Sequence, residues 1–313
     1  MQQRQVLFET AASRQVAIPY LLYLPQKYHQ RPRFRWPLML FLHGAGERGN
    51  DLALVKKHGP PKLVEERPLP FVILSPQCPQ DSSWSSMIED LIDLLEDAKT
   101  RYRVDPDRVC VTGLSMGGFG TWALAATRPD LVAAIAPICG GPDWFHGFPL
   151  RALRLWQMPV WAFHGAKDQL VPPSGSRELV ELLQALGDPA RLTIYPDADH
   201  DSWTATYQNP ELYRWLLSQR LGPRREPLPR EARLPNGDSV RYWHTPSAGY
   251  VVATQAKGLP ALTPISREAW DTLGQAPTDV EMRARLGALG LAEELGVYVE
   301  AILQAERNAL GTG

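Results

Sequence analysis

Three side chains in this sequence have the types and the order that nucleophilic acyl chemistry needs: Ser115, Asp168 and His200. Ser115 lies in Arg108-Val-Cys-Val-Thr-Gly113-Leu-Ser115-Met-Gly117-Gly118-Phe-Gly120, where a short apolar strand runs into a G-x-S-x-G element. A serine hydroxyl is a poor nucleophile at neutral pH and attacks a carbonyl only with a base beside it. Here Val109, Cys110 and Val111 precede the turn, and the helix formers from Thr121 to Thr127 follow it. Strand, tight turn and helix in that order form the elbow that lifts a nucleophile clear of a sheet. The turn strains the serine backbone, so Gly113 and Gly117 leave room on either side and Gly118 lets the helix approach the strand. The backbone N–H of Met116 then points to where an oxyanion forms.

The base has to be a histidine, and of the seven present His200 has the right setting. It falls in Pro196-Asp-Ala-Asp-His200-Asp-Ser-Trp203, the polar loop after the last core strand. His43 and His164 also end strands, but each precedes a glycine and reads as loop scaffold, while His29, His58, His146 and His244 have no accompanying motif. The orienting carboxylate should lie between serine and histidine in the chain. Asp168 in Gly165-Ala-Lys-Asp168-Gln-Leu-Val-Pro172 does, and its task is to hold the tautomer of His200 and stabilise the imidazolium. Asp197, Asp199 and Asp201 crowd His200, but a sequence neighbour seldom reaches the far ring nitrogen. A second oxyanion donor is expected from His43-Gly44-Ala45-Gly46-Glu47-Arg48-Gly49, most simply the N–H of Ala45. Trp144, Phe145 and Phe148 follow a small-residue strand and are candidates for an acyl or aryl pocket; packing under their own loop is the alternative.

These residues need a frame. Candidate strands lie at 6–10 and 16–24 with a turn-like 11–14 between them, and Pro19 suits an edge position. Leu38 to Leu42 is a continuous apolar run, as a strand covered on both faces requires. Further strands read at 71–75, 109–111, 133–138, 159–164 and 191–195. A helix over 85–102 carries Ile88, Leu91, Ile92, Leu95, Ala98 and Tyr102 on one face, with Ser85 and Ser86 placed to cap it and Glu89 to complete a capping box. Helices are also expected over 174–186 and 211–221. Strands alternate with helices from about residue 36 to 221, so the fold class is α/β, a mostly parallel central sheet with helices on both faces. Ser115, Asp168 and His200 each follow a strand, and the carboxyl ends of parallel strands share one edge.

Composition narrows the partners. The chain has 313 residues and a formal net charge of −1, so no overall field draws nucleic acid or an anionic membrane. Cys78, Cys110 and Cys139 are too few for a disulfide framework and lack the paired spacing of a zinc site. The start of the chain has no apolar signal region and no stretch reaches membrane-span length. The expected compartment is the cytoplasm, although a secreted chain trimmed of its signal peptide reads the same way.

The motifs Gly113-Leu-Ser115-Met-Gly-Gly, His43-Gly-Ala-Gly-Glu-Arg-Gly49, Gly165-Ala-Lys-Asp168-Gln-Leu-Val-Pro and His200-Asp-Ser-Trp203 together resemble the α/β-hydrolase carboxylesterases. The order Ser, Asp, His is also theirs and not that of chymotrypsin or subtilisin. Within them the chain is most similar to the predicted-peptidase branch, near the phospholipase/carboxylesterase and polyhydroxybutyrate-depolymerase-like esterases. The resemblance covers residues 5–221. It implies an α/β-hydrolase fold and ester hydrolysis through an acyl-enzyme, with no metal or cofactor. By position, Ser115 is the nucleophile, His200 the base, Asp168 its acid partner, and Ala45 and Met116 the oxyanion donors. Trp84 and Trp203 match aromatic positions flanking the site. The expected substrate is a small ester with a short acyl or aromatic, feruloyl-like group. A peptidase or acyltransferase with the same residues is the alternative, and a non-catalytic binding protein requires a broken set of three.

The expected division is a catalytic domain at 1–222, a proline- and charge-rich linker at 223–238, and a small α+β appendage at 239–313. In the appendage, Asn236-Gly237 marks a tight turn, strands read at 240–245 and 250–254, and Thr278-Asp-Val-Glu281 opens a helix. Residues 223–313 carry 10 Lys/Arg against 11 Asp/Glu, which leaves no basic footprint for nucleic acid. Self-association or a protein contact is the role left open for this segment.

Overall fold

The computed structural model describes residues 3–10, 16–143, 147–223, 228–245, 249–256, 259–276 and 278–311. The chain divides into two units, residues 1–180 with 190–224, and residues 225–313 with the short stretch 181–189.

In the first unit eight strands form one sheet: β1 (Arg4–Thr10), β2 (Val16–Tyr23), β3 (Trp36–Leu42), β4 (Val72–Pro76), β5 (Val104–Leu114), β6 (Ala134–Ile138), β7 (Trp161–Gly165) and β8 (Arg191–Tyr195). Their order is β1-β2-β4-β3-β5-β6-β7-β8. Neighbours from β4 to β8 run parallel, and the β1 and β2 pairings are antiparallel. β3, β4 and β6 are buried along their whole length, which is why their sequences are apolar without alternation.

Helices α1 (Gly59–Glu66), α2 (Ile88–Arg101), α3 (Met116–Thr127), α5 (Trp203–Gln208) and α6 (Pro210–Ser218) complete the unit, together with the first part of α4 (Ser174–Ala185), whose residues from 181 group with the second unit. α2 packs on α3 and β5 through the face that carries Ile88, Leu91, Ile92, Leu95 and Ala98. Leu63, Tyr207, Leu212 and Leu216, from α1, α5 and α6, share a second apolar cluster with Phe41 and Phe163. Successive residues of a strand face opposite ways, so Phe41 serves that cluster while Leu42 meets α3 at Gly120.

Three expectations change here. Pro19 is not on an edge strand, since β2 lies between β1 and β4. Its carbonyl accepts from the N–H of Gln77 at 2.9 Å, just past the end of β4, so the missing donor falls where that ladder stops. The start of α2 carries no capping box: residues 85–87 form a 3-10 turn, and Ser86 Oγ exchanges hydrogen bonds with Ser83. Trp203, read as loop, is the first residue of α5. The turn expected at 11–14 lies outside the described residues.

The second unit has a four-stranded antiparallel sheet, β9 (Arg230–Arg233), β10 (Ser239–Thr245), β11 (Gly249–Ala256) and β12 (Leu259–Ser266), in the order β12-β11-β10-β9. Helices α7 (Arg267–Gly274), α8 (Asp279–Ala288) and α9 (Leu295–Gly311) pack a core of Val240, Val252, Ile265, Trp270, Leu286 and Ile302. The stretch 223–238 is not all connector, because Arg230–Arg233 pairs with β10. β12 and α7 were not legible: Pro260 and Pro264 disguise the strand. Both prolines share one side of it, and the ladder with β11 runs through the residues between them, so β12 tolerates them as an edge. Thr278 does cap α8, its hydroxyl accepting from the N–H of Glu281 at 3.3 Å. No helix among the described residues is long and apolar enough to cross a membrane.

Candidate active site

Ser115 stands between β5 and α3 with φ 54° and ψ −118°. That left-handed backbone costs a non-glycine residue about 1–3 kcal/mol, and its surroundings hold it in place. Its N–H donates to the carbonyl of Ile138 at 2.9 Å and faces Cys139 Sγ at 3.2 Å. α3 begins so close to β3 that a Cβ on Gly117 would lie 1.9 Å from the Leu42 carbonyl oxygen. The glycine after Met116 is therefore a packing requirement. Met116 opens α3, so its N–H has no acceptor within the helix.

The loops after β7 and β8 are laced together. Ala166 N–H donates to the Tyr195 carbonyl at 2.9 Å and Lys167 N–H to the Ala198 carbonyl at 3.0 Å. Gly165 makes this possible, since a Cβ there would sit 2.0 Å from the Asp199 carbonyl oxygen. The lacing brings His200 Nδ1 to 2.7 Å from Asp168 Oδ2, and the other ring nitrogen, Nε2, to 2.9 Å from Ser115 Oγ. Asp168 Oδ1 accepts two backbone N–H groups, Leu170 at 3.0 Å and Val171 at 2.9 Å. Burial alone would raise the Asp168 carboxyl. The His200 hydrogen bond and the two N–H groups outweigh it and hold the carboxyl below its ordinary range. A hydroxyl, an imidazole and an ionised carboxylate thus stand in one hydrogen-bonded row, with a path for the hydroxyl proton.

Beside this row runs the loop after β3, and buried polar contacts fix its shape. His43 Nε2 accepts from the N–H of Cys78 at 3.0 Å, so the proton is on Nδ1, which donates to the Gly44 carbonyl at 2.6 Å. Burial pushes the imidazole down to about 4, and it stays neutral in ordinary buffers. Trp84 Nε1–H donates to the His43 carbonyl at 2.8 Å, and its ring meets that imidazole edge to face at 4.9 Å. Trp84 is 0% exposed, so the expectation that it faces substrate is corrected: it braces the loop from behind. Ala45, at the exposed start of the 3-10 turn Ala45–Glu47, has its carbonyl pinned by Arg48 Nε–H at 3.0 Å.

Strand order, elbow and loop positions are those of a doubly wound hydrolase sheet, and residues 79–211 match the model of the Dienelactone hydrolase family. The unit has the α/β-hydrolase fold. A thermostable esterase of known structure is similar to it at 33% identity and a TM-score of 0.59, over 70% of this chain and 63% of that one. The ferulic acid esterase of Anaeromyces mucronatus shares the fold at 17% identity and a TM-score of 0.51, over 70% and 90%. Poly(3-hydroxyalkanoate) depolymerase C of Paucimonas lemoignei is 51% identical over 49 residues, 16% of this chain and 12% of its own length. The chain spans less than half the length of the curated relatives it matches.

Trp203, expected to flank the site, does lie beside His200, and it brings with it His58, which had no signal in the sequence. Trp203 meets His200 edge to face at 5.4 Å, and His58 meets Trp203 in the same way at 5.4 Å. His58 lies at the N-terminus of α1, and only the fold brings it to α5. Trp203, Tyr207, His58 and Lys62 line a cavity of 80 Å³ there. Of the aromatics after β6, Phe148 is buried, and Trp144 and Phe145 lie outside the described residues. A larger cavity of 440 Å³ belongs to the second unit, between Arg233, Met282 and Arg307, and includes none of these residues.

Proposed function

We propose that this α/β-hydrolase is a serine carboxylesterase acting on short-chain acyl or aromatic, feruloyl-like esters. The observation that carries the reading is the row from Ser115 Oγ through His200 to Asp168, at 2.9 Å and 2.7 Å, on a strained elbow. His200 Nε2 takes the Ser115 proton as Oγ attacks the ester carbonyl, and Asp168 stabilises the imidazolium that forms. The carbonyl oxygen becomes an oxyanion facing the N–H of Met116 and that of Ala45. Collapse breaks the bond to the alcohol, which leaves with the proton from His200. Water then repeats the sequence on the acyl-enzyme and releases the acid. Trp203 stands beside His200 with His58 behind it, and the pair offers aromatic surface to a ring-bearing substrate. Likeness to a thermostable esterase and, locally, to a polyester depolymerase favours an ester over an amide.

The test is a p-nitrophenyl ester series from acetate to long chains, run beside methyl ferulate, with Ser115→Ala as control. Turnover of short or aromatic esters that the variant loses by at least ~1,000-fold is the expected result. Appreciable residual activity in Ser115→Ala would overturn the assignment. Amide turnover faster than that of the matched ester would replace it with a peptidase.

A further inference from the structure

The Asp168 carboxylate carries a second imidazole that the reaction above leaves unused. His164, wholly buried on β7, places Nε2 3.2 Å from Asp168 Oδ2 and 2.9 Å from the Val171 carbonyl oxygen. Neither oxygen has a proton to give, so His164 Nε2 bears the hydrogen. The other ring nitrogen, Nδ1, lies 2.8 Å from Ser176 Oγ, which in turn lies 2.6 Å from the Gly140 carbonyl oxygen. The ring therefore ties the loop of Asp168 to α4 and to the chain leaving β6. Oδ2 has two imidazole partners, His200 at 2.7 Å and His164 at 3.2 Å, while Oδ1 is filled by backbone N–H groups.

We propose that His164 is a positioning residue for the triad: its Nε2–H holds Asp168 Oδ2 toward His200 and takes up part of that oxygen's charge, which limits the basicity of His200. This rests on the reading of Ser115, His200 and Asp168 as a triad. A carboxylate oxygen already engaged by one N–H gains less when a second neighbour becomes a cation. His200 accordingly keeps its base form to lower pH than it would beside an unshared aspartate. The other ionisable groups around this cluster do not interfere. Burial pushes the Cys139 thiol up to about 12, and Asp201 accepts from Thr204 N–H and Oγ–H at 2.9 Å each. Lys167 and Asp197 pair with each other at 3.0 Å in solvent. Burial also pushes the His164 imidazole down, which favours its neutral form.

The test compares His164→Leu and His164→Gln in the full chain, by the pH dependence of kcat/KM on the fastest p-nitrophenyl ester, with circular dichroism to check the fold. Leucine removes the donor, and the glutamine amide keeps an N–H within reach of Oδ2. The acid-limb midpoint of His164→Leu should rise by about half to one pH unit, with a plateau loss of about tenfold, and His164→Gln should return to within about 0.2 of the parent midpoint. A folded leucine variant whose midpoint stays or falls overturns the proposal. If leucine prevents folding, His164→Asn replaces it: the shorter amide cannot reach Oδ2, and its midpoint must rise while that of glutamine does not. Ser115→Ala run in parallel separates the two ideas. Activity surviving there removes the triad, whereas an inactive Ser115→Ala beside an unmoved His164→Leu midpoint removes only this inference.

Discussion

The neutral, buried His43 makes the oxyanion loop a point of acid sensitivity, and its size can be worked out. An exposed histidine titrates near 6.5, and in the folded chain burial pushes His43 down to about 4. Below pH 6.5 the unfolded chain gains a proton at His43 that the folded chain refuses. The unfolded state then binds more protons, so stability falls as pH falls, and the loss is complete near pH 4. A difference of about 2.5 units at about 1.4 kcal/mol each amounts to roughly 3–4 kcal/mol in total, of which about 2 kcal/mol has gone by pH 5. Because His43 is 1% exposed, solvent screening does little to reduce this. Urea unfolding of the parent and His43→Gln at pH 7.5 and pH 5.0 measures it. Glutamine keeps an acceptor for the Cys78 N–H and does not titrate. The parent should lose about 2 kcal/mol more than the variant between the two pH values. Hydrogen exchange at the Cys78 amide gives the local version of the same reading. Equal losses in parent and variant would refute the reasoning, since the other carboxylates and histidines are common to both.

Two further substitutions separate packing from contact with substrate. Gly117→Ala drives a methyl group into the Leu42 carbonyl, 1.9 Å away with backbone on both sides, so the melting temperature should drop by at least ~10 °C or the chain should fail to fold. A variant that melts with the parent would mean that α3 does not start where it is described. Trp84→Phe removes the hydrogen bond to the His43 carbonyl and should cost about 1 kcal/mol of stability, with KM unchanged within about twofold because Trp84 has no exposed surface. A tenfold rise in KM would return Trp84 to the substrate pocket.

The site was legible where a local pattern has a single physical reading. The elbow around Ser115 could be read because small residues at 113 and 117 are forced by the approach of backbone to within 3 Å. His200 and Asp168 could be read because each follows a strand, and parallel strands deliver their carboxyl ends to one edge. Aromatic side chains carried no such information. Trp84 and Trp203 occupy similar-looking loops, yet one lies wholly under the β3 loop and the other flanks His200. Which of the two lies beside His200 depends on tertiary packing. His58 was invisible for the same reason, as its partner is 145 residues away in sequence. The role of His164 was hidden differently: its place after a strand and before a glycine suits a scaffold residue, and only the distance to Oδ2 distinguishes a scaffold from a partner of the acid. In the second unit, β12 was missed because two prolines argue against a strand until it is known to lie at the edge of a sheet.

Those prolines bear on how the second unit can meet other molecules. A sheet that ends in an unprotected strand recruits further strands, from a partner's peptide or from another copy of itself, and so risks fibre growth. An incoming strand beside β12 would look for N–H groups at 260, 262 and 264, and at two of these three positions there is no hydrogen to offer. Recruitment by strand addition is closed along that margin, and crowding many copies together will not extend the sheet from it. A partner that approaches the β12 margin must be gripped by side chains rather than by an added strand.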